Sequence, residues 1–185
     1  MIEVRFHGRG GQGVVSAARL IAEAAILEGK YVQAFPEFGA ERSGAPIAAY
    51  ARVNDEPIEL HSFIYHPGVV VVVDRSMAAS KNTISGLASD GSFVCNFEGS
   101  PGEIRTKLGF DGNNVKVGAV DATGVALKSL GRDFPNTPML GALLRATNIV
   151  GMESMVNVMS AKFKGPMQAS NAAALRLGYE GVKFA

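Results

Sequence analysis

The chain has 185 residues, of which 47% are hydrophobic and 19% are charged, and it contains 22 glycines. Its formal net charge of +1 gives no electrostatic reason to expect a nucleic-acid partner. The single cysteine, Cys95, excludes an internal disulfide and an all-cysteine cluster site within the chain.

This composition predicts one domain over residues 1–185, because a chain of this length buries about 70% of the surface that its unfolded form exposes. The first residues, MIEVRFHG, enter a strand pattern without the basic and apolar regions of a signal peptide. The longest apolar run, VVVVV at 69–73, is far shorter than the roughly 20 residues that cross a bilayer. We therefore expect a cytoplasmic protein with no membrane partner.

The first elements form half of a β-α-β unit. Residues 2–6 alternate apolar and polar side chains, which predicts a strand, and a glycine-rich loop follows. The alanine-rich run from residue 14 predicts a helix that ends near Gly29 and packs closely on a sheet. Residues 31–35 are the next candidate strand.

The middle of the chain predicts a loop, a hairpin and a central strand. Residues 36–46, PEFGAERSGAP, are too broken by proline and glycine for a regular element. Residues 47–53 predict a strand, and the turn signal Asn54-Asp55 predicts a β-hairpin with an edge strand after it. Residues 68–74, GVVVVVD, are apolar on both faces, as in a parallel strand covered by helices on both sides.

The second half of the chain continues the alternation of strands and helices. Strands are predicted at 92–97 and 115–121, and two helices follow residue 151. Asp121 caps one predicted helix, and Thr137 is the predicted N-cap of another. The pattern predicts an α/β fold, Rossmann-like and doubly wound, with a mostly parallel sheet, helices on both faces and an inserted antiparallel hairpin.

Residues 5–15, RFHGRGGQGVV, place Gly8, Gly10 and Gly13 on the G-x-G-x-x-G spacing. Three interpretations stay open: a dinucleotide site, glycines that only allow close packing, or a loop that meets a polar group of a partner subunit or its ligand. A dinucleotide site needs an acidic residue at the end of the second strand. Here the nearest carboxylate, Glu37, lies beyond a proline in the irregular loop.

That irregular loop is the second candidate site. Glu37, Glu41 and Arg42 lie between glycines and prolines, which fits either a solvated surface loop or a phosphate clamp or interface. Phe35 and Phe38 favour a phosphate clamp or an interface, because large apolar side chains are seldom exposed on a loop that has no binding role. No serine, cysteine or threonine matches a histidine and an acid at motif spacing, and the three histidines have no metal-ligand spacing, so no catalytic or metal residue is predicted.

Four segments carry a resemblance to a known family: FHGRGGQG, YVQAFPEFGAERSGAP, VVVVVD and the helix start NTPMLGALL. In their order and spacing the chain resembles the gamma subunits of the 2-oxoacid:ferredoxin oxidoreductases, most of all the pyruvate type, pyruvate synthase. The resemblance implies one component of an enzyme that converts a 2-oxoacid and coenzyme A to acyl-CoA and CO₂ and reduces ferredoxin.

The resemblance also implies partners, cofactors and site residues. Alpha, beta and delta subunits are the expected partners, with ferredoxin reached through the complex. The complex uses thiamine diphosphate, Mg and iron-sulfur clusters, and none is held by this chain alone. For coenzyme A the resemblance implies Arg42 at the phosphates and hydrogen bonds from the next two residues. The implied contacts are Arg42, Ser43, Gly44 and Asn136, with the glycine-loop residues Arg9, Gly10, Gly11 and Gln12.

Several alternatives stay open. In one alternative, Glu41 pairs with Arg42, so that the Arg42 guanidinium does not bind coenzyme A. Two others are a nicotinamide-binding reductase domain that uses the glycine loop, and a scaffold that only joins larger subunits. In the last alternative, the substrate of the enzyme is 2-oxoisovalerate or 2-oxoglutarate instead of pyruvate.

Overall fold

The computed structural model describes residues 1–37 and 44–185. In these ranges the chain forms seven strands: β1 (Ile2–Arg9), β2 (Tyr31–Pro36), β3 (Pro46–Asn54), β4 (Val69–Val72), β5 (Ser92–Asn96), β6 (Lys116–Val120) and β7 (Lys183–Phe184). It also forms six α-helices: α1 (Val14–Leu27), α2 (Pro101–Leu108), α3 (Ala122–Leu130), α4 (Asn136–Thr147), α5 (Met152–Lys162) and α6 (Pro166–Gly181). Short 3₁₀ turns lie at Arg75–Met77 and Lys81–Ile84.

The strands form one sheet in the order β2-β3-β1-β4-β5-β6-β7. The central pairs β1-β4, β4-β5 and β5-β6 are parallel, whereas β3 runs antiparallel to β1 and β2, and β7 to β6. Among the strands that the structure describes, only β3 and β7 therefore oppose the common direction. The predicted α/β fold, a mostly parallel sheet with an inserted antiparallel pair, is confirmed.

The position of the hairpin was predicted wrongly. The antiparallel partner of β3 is β2, with Tyr31 opposite Asn54, and residues 55–68 form no strand. Asn54 does begin a turn, because its side-chain amide donates to the carbonyl of Glu56 at 3.0 Å. Pro57 then follows, and proline cannot donate to a strand ladder. The segment instead supplies the carbonyls of Ile58 and Leu60 to the Gln33 amide of β2.

Two apolar clusters cover the two faces of the sheet. Buried side chains of α1, α4, α5 and α6 pack on one face, and α2 with the 3₁₀ turns packs on the other. Strand β4 serves both: Val71 belongs to the first cluster and Val70 and Val72 to the second. This double burial is what its continuous valine run predicted. No helix in the described ranges has the length and apolar character that a membrane span needs.

The start of α4 differs from the predicted start. The helix begins at Asn136 with Pro135 at its N-cap, so Thr137 lies inside the first turn. The Thr137 hydroxyl is buried and donates to Oδ1 of Asn171 on α6 at 3.1 Å. The prediction of Thr137 as the N-cap is wrong because this hydroxyl joins two helices and does not cap one.

One helix had no prediction from the sequence. Helix α2 begins with a capping box in which Ser100 accepts from the Gly102 amide and Glu103 accepts from the Ser100 amide. Ser-x-x-Glu followed by an apolar residue is a recognised start signal for a helix. The signal was therefore present in the sequence at Ser100.

Candidate functional site

The carboxyl ends of the parallel strands define the candidate site. Strands β1, β4, β5 and β6 run in the same direction, so the segments that follow them meet at one edge of the sheet. At this edge α/β proteins bind their ligands. The glycine loop, which we define as residues 8–13, begins with the last two residues of β1 there, and Asp74 lies two residues after β4.

Most backbone groups of the glycine loop bind partners within the protein. The Arg9 amide donates to Oε1 of Gln12 at 2.8 Å, and the Gln12 amide donates back to the Arg9 carbonyl at 3.1 Å. The Gly10 amide donates to the carbonyl of Ala45 at 2.9 Å. These three donors are thus already used, which favours a packing role for the loop over a phosphate cradle of the dinucleotide type.

Two glycines are required by close contacts. A Cβ at Gly8 would lie 2.5 Å from Cγ2 of Val14, the first residue of α1. Gly13 has a φ of +75°, and a Cβ there would lie 2.6 Å from Nδ2 of Asn136. The glycine loop therefore packs against the start of α4, which brings the candidates Asn136 and Gln12 to one edge of the sheet.

Asp74 is the central acid of the site. It is 7% exposed and accepts from Nε2 of Gln12 at 2.6 Å and from the Ser76 amide at 3.0 Å. Burial on its own raises the pKa of the Asp74 carboxyl, but hydrogen bonds from Ser76 and Gln12 and the charge of Arg9 more than offset this, so the pKa lies below its ordinary value. Asp74 thus remains ionised at neutral pH.

Arg9 connects the glycine loop to the end of the irregular loop. Its guanidinium lies 3.6 Å from the Asp74 carboxylate and donates to the Gly44 carbonyl at 3.1 Å and to the Ser76 hydroxyl at 3.3 Å. The Gly44 amide donates to the carbonyl of Gly10 at 3.3 Å. The structure therefore brings Arg9, Gly10 and Gly44 together. Arg42 and Ser43, like Phe38 and Glu41, lie outside the described residues.

The irregular loop is anchored at its other end as well. The Glu37 amide donates to the carbonyl of Ala48 at 2.9 Å, and Tyr50 donates its hydroxyl proton to the Glu37 carboxylate at 2.8 Å. Burial and then this hydrogen bond raise the pKa of Tyr50 to about 12. Phe35 stacks on Tyr50 with the ring centroids 5.2 Å apart. Phe35 is therefore part of a half-buried cluster, and Glu37 is engaged by Tyr50.

Asn136 and Gly11 are the remaining predicted contacts in the described part of the chain. Asn136 is half-buried, and among the described residues its amide has no hydrogen-bond partner. Gly11 is exposed with a φ of +96°. Asn136 therefore lies beside Gly13 of the glycine loop, and Gly11 lies in the exposed part of that loop.

Two nucleophilic or titratable groups elsewhere are held in unreactive forms. Burial raises the pKa of Cys95 to about 12, as expected of an inert core thiol. Burial and then the neighbouring Arg5 lower the pKa of His7 to about 4, so its imidazole is neutral at neutral pH.

Asp74 was not predicted from the sequence as a site residue. A carboxylate directly after an apolar strand is the available signal, since such a residue lies at the carboxyl edge of the sheet. Nothing local shows that the Asp74 carboxylate meets Gln12, which lies 62 positions earlier in the chain.

Comparison with known proteins adds a family relationship to this geometry. The family model described as pyruvate ferredoxin/flavodoxin oxidoreductase matches residues 3–181. The pyruvate synthase subunit PorC of Methanothermobacter marburgensis is 45% identical over 183 residues, covering 99% of this chain and 98% of the relative. The pyruvate/ketoisovalerate oxidoreductases common subunit gamma of Pyrococcus furiosus is 48% identical over 180 residues, covering 97% of this chain and 96% of the relative.

A solved structure agrees with the fold over its whole length. The crystal structure of the pyruvate oxidoreductase subunit PORC from Thermotoga maritima has a TM-score of 0.89 and 44% sequence identity. The match covers 100% of this chain and 98% of that chain. The order of strands and helices described above is therefore shared with that subunit.

Proposed function

This chain belongs to the pyruvate ferredoxin/flavodoxin oxidoreductase family, and we propose that it is the gamma subunit of a multi-subunit pyruvate:ferredoxin oxidoreductase whose coenzyme A channel it helps to form. The complete enzyme takes pyruvate and coenzyme A to acetyl-CoA and CO₂ and passes two electrons to ferredoxin. Thiamine diphosphate, Mg and the iron-sulfur clusters belong to the alpha, beta and delta subunits. This chain contributes binding and positioning.

One observation carries the proposal: the glycine loop contacts both candidate coenzyme A segments. Gly10 pairs with Gly44 and Ala45, which end the irregular loop, and Gly13 packs against Asn136. The irregular loop is also fixed at Glu37 by Tyr50. The described ends of this loop, Glu37 and Gly44, are thus both held by hydrogen bonds, and contacts that are formed before a ligand binds favour affinity.

Within this loop, Arg42 contacts the coenzyme A phosphates and Ser43 and Gly44 supply hydrogen bonds. An arginine suits this role because its planar guanidinium binds phosphate oxygens in pairs. Asn136 supports the same ligand from the start of α4, where its amide lacks a described partner. Arg9, Gly10, Gly11 and Gln12 are the proposed coenzyme A contacts from the glycine loop, and Arg9 and Gly10 also bind the described end of the irregular loop.

Replacing Arg42 in the assembled enzyme tests this role. Arg42→Ala is expected to raise the KM for coenzyme A about tenfold, because a charge-assisted hydrogen bond contributes about 1.5–3 kcal/mol. The kcat and the subunit composition are expected to stay unchanged. Arg176→Ala, an exposed arginine on α6, is the matched control. An unchanged KM with impaired assembly would favour a scaffold role instead.

A second variant separates the two possible partners of Arg42. If Glu41 holds the guanidinium in an ion pair, Glu41→Gln lowers the KM for coenzyme A by releasing Arg42. If Arg42 already faces the phosphates, Glu41→Gln leaves this KM near that of the unmodified enzyme. The proposal expects the second result, measured under the same conditions as Arg42→Ala.

A further inference from the structure

The half of the sheet formed by β2 and β3 has a helix on one face only. Helix α1 packs on the first face of these strands. The second face carries a small apolar cluster, which in the described ranges includes no helix residue: Phe35, Ala48, Tyr50 and Ile64. Irregular residues 55–68, which we call the covering segment, lie over it. An antiparallel edge of a sheet can face water, but its exposed face is then polar, whereas this face is aromatic.

The covering segment is held in place by polar side chains of the strands beneath it. The Gln33 amide of β2 donates to the carbonyl of Leu60 at 2.7 Å. Arg52 of β3 is buried, binds the Glu3 carboxylate at 2.7 Å and donates to the carbonyl of Phe63 at 3.4 Å. The backbone of the segment is therefore positioned before any partner binds, which favours affinity.

Three large apolar side chains of the covering segment remain exposed. The exposed fractions of Leu60, Phe63 and Tyr65 are 48%, 43% and 66%. The Phe63 ring lies beside Phe35 and Tyr50, with centroid distances of 6.1 and 5.9 Å. Next to it a groove of about 430 Å³ is lined by Gln33, Ala34, Phe35, Arg52, His61 and Phe63. Exposed aromatic side chains around a concavity are typical of protein interfaces, where they act as anchors.

The charged side chains of the covering segment have one sign. Asp55, Glu56 and Glu59 are all exposed, and residues 55–68 include no lysine or arginine. Like charges across an interface are costly, so this surface disfavours an acidic protein. It disfavours a second copy of the chain for the same reason, because a two-fold contact brings the same surface of both copies together. The partner that fits has apolar side chains with lysine or arginine beside them.

The position of the covering segment favours a companion subunit as this partner. Phe63 packs beside Tyr50, and the Tyr50 hydroxyl binds Glu37 at the beginning of the irregular loop. Under the proposed function, companion subunits reach this loop because they and this chain form the coenzyme A channel together. A companion at the irregular loop therefore lies next to the covering segment.

We propose that the covering segment is the docking surface for a companion subunit of the same oxidoreductase. The companion presents an apolar side chain to the groove beside Phe63 and lysine or arginine side chains to Glu56 and Glu59. This inference rests on the proposed function, since it takes its partner from the same complex. It concerns how the chain is held in the complex, whereas the role of Arg42 concerns how coenzyme A is bound.

Sedimentation velocity of the full chain mixed with the complex of alpha, beta and delta subunits tests the apolar part of the surface. The double variant Leu60→Ser/Tyr65→Ser is expected to weaken association at least about tenfold, since it removes two anchors. Leu127→Ser/Leu177→Ser, which changes two exposed leucines on α3 and α6, is the matched control and is expected to associate normally. Thermal unfolding checks that both variants fold, and Tyr65→Ser alone, with an expected loss of at least about threefold, replaces the double variant if that one is unstable.

The salt dependence of the same association tests the charges. Raising the salt concentration from about 0.05 to 0.5 M is expected to weaken association of the unmodified chain, because salt screens exposed charges. Glu56→Gln/Glu59→Gln is expected to reduce this dependence. Glu153→Gln/Glu180→Gln, which changes two exposed acids on α5 and α6, is the matched control and is expected to keep it.

Three results would overturn the inference. They are normal association of Leu60→Ser/Tyr65→Ser, equal weakening by its control, and an unchanged salt dependence in Glu56→Gln/Glu59→Gln. Self-association of the chain alone that Leu60→Ser/Tyr65→Ser abolishes would also overturn it, because the occupant would then be a second copy. None of these results affects the role of Arg42, which depends on the KM of Arg42→Ala. Failure of the unmodified chain to associate with the companion subunits would instead refute the proposed function, and the inference with it.

Discussion

Among single residues, Asp74 does most to organise the candidate site. It binds Gln12 and faces Arg9, and both lie in the glycine loop. Arg9 in turn binds the Gly44 carbonyl, so the carboxylate acts on the irregular loop through two contacts. Removing the Asp74 charge is therefore expected to weaken the contact between Arg9 and the end of the irregular loop at Gly44.

Asp74→Asn is expected to lower the free energy of unfolding by about 1–3 kcal/mol at neutral pH, because it weakens buried hydrogen bonds to a charged acceptor. The pKa of Asp74 is lowered in the folded protein, so its stabilisation is present above the ordinary pKa of 3.8. That stabilisation is lost as the pH falls through the lower folded value. Urea unfolding of both proteins from pH 7 to pH 3 measures whether the difference shrinks.

Asp90→Asn is the matched control for this experiment, because Asp90 is exposed and remote from the glycine loop. Its unfolding free energy is expected to stay within about 0.5 kcal/mol of the unmodified chain. A difference for Asp74→Asn that persists unchanged at pH 3 would contradict the role of the ionised carboxylate.

Residue roles could be predicted from the sequence only where a local pattern reports them. The resemblance of two segments named both Arg9 and Gly44, and the structure brings these two residues together. Asp74 could not be placed, since its partner Gln12 is distant in sequence. The contact between Gly13 and Asn136 is likewise a consequence of tertiary packing.

Among the elements, α4 and α6 make the closest helix contact, and two glycines allow it. A Cβ at Gly141 would collide with the carbonyl oxygen of Leu175, and one at Gly178 with the carbonyl oxygen of Pro138. The backbones of the two helices therefore touch. This contact places Asn171 beside Thr137, whose hydroxyl donates to the Asn171 side chain.

Gly178→Ala is expected to lower the free energy of unfolding by about 1–3 kcal/mol or more, because the new methyl group meets a rigid backbone carbonyl. Gly181→Ala on the same helix is the control, since a Cβ there lies 3.7 Å from Cγ2 of Val120, an ordinary contact. The control is expected to be neutral or slightly stabilising through helix propensity. Equal denaturation midpoints for the two variants would refute the close contact.

The elements with strong local signals were predicted, and those decided by distant partners were not. The valine run of β4 and the Asp121 cap of α3 were both confirmed. The hairpin was misplaced because Asn54 does begin a turn but no strand follows it. Strand β3 pairs instead with β2, from which the irregular loop separates it in the sequence. The N-cap of α4 was placed two residues too late, at Thr137 and not at Pro135, because the Thr137 hydroxyl binds Asn171.

At the scale of the whole molecule, the described residues bring binding groups together at the carboxyl edge of the sheet. Cys95 and His7 are held as a neutral thiol and a neutral imidazole at pH 7. The groups brought together at the carboxyl edge, Arg9, Asp74 and Gly44, bind each other and hold a loop. Under the proposed function, companion subunits present coenzyme A to this edge.

The most direct test of this account is reconstitution of coenzyme A-dependent pyruvate oxidation, followed by the reduction of ferredoxin. The chain alone, the companion subunits alone and the complete complex are assayed in parallel. The account predicts no turnover by the chain alone and a normal KM for coenzyme A only in the complete complex. Turnover by the lone chain, or a normal KM in companion subunits that lack it, would contradict the account.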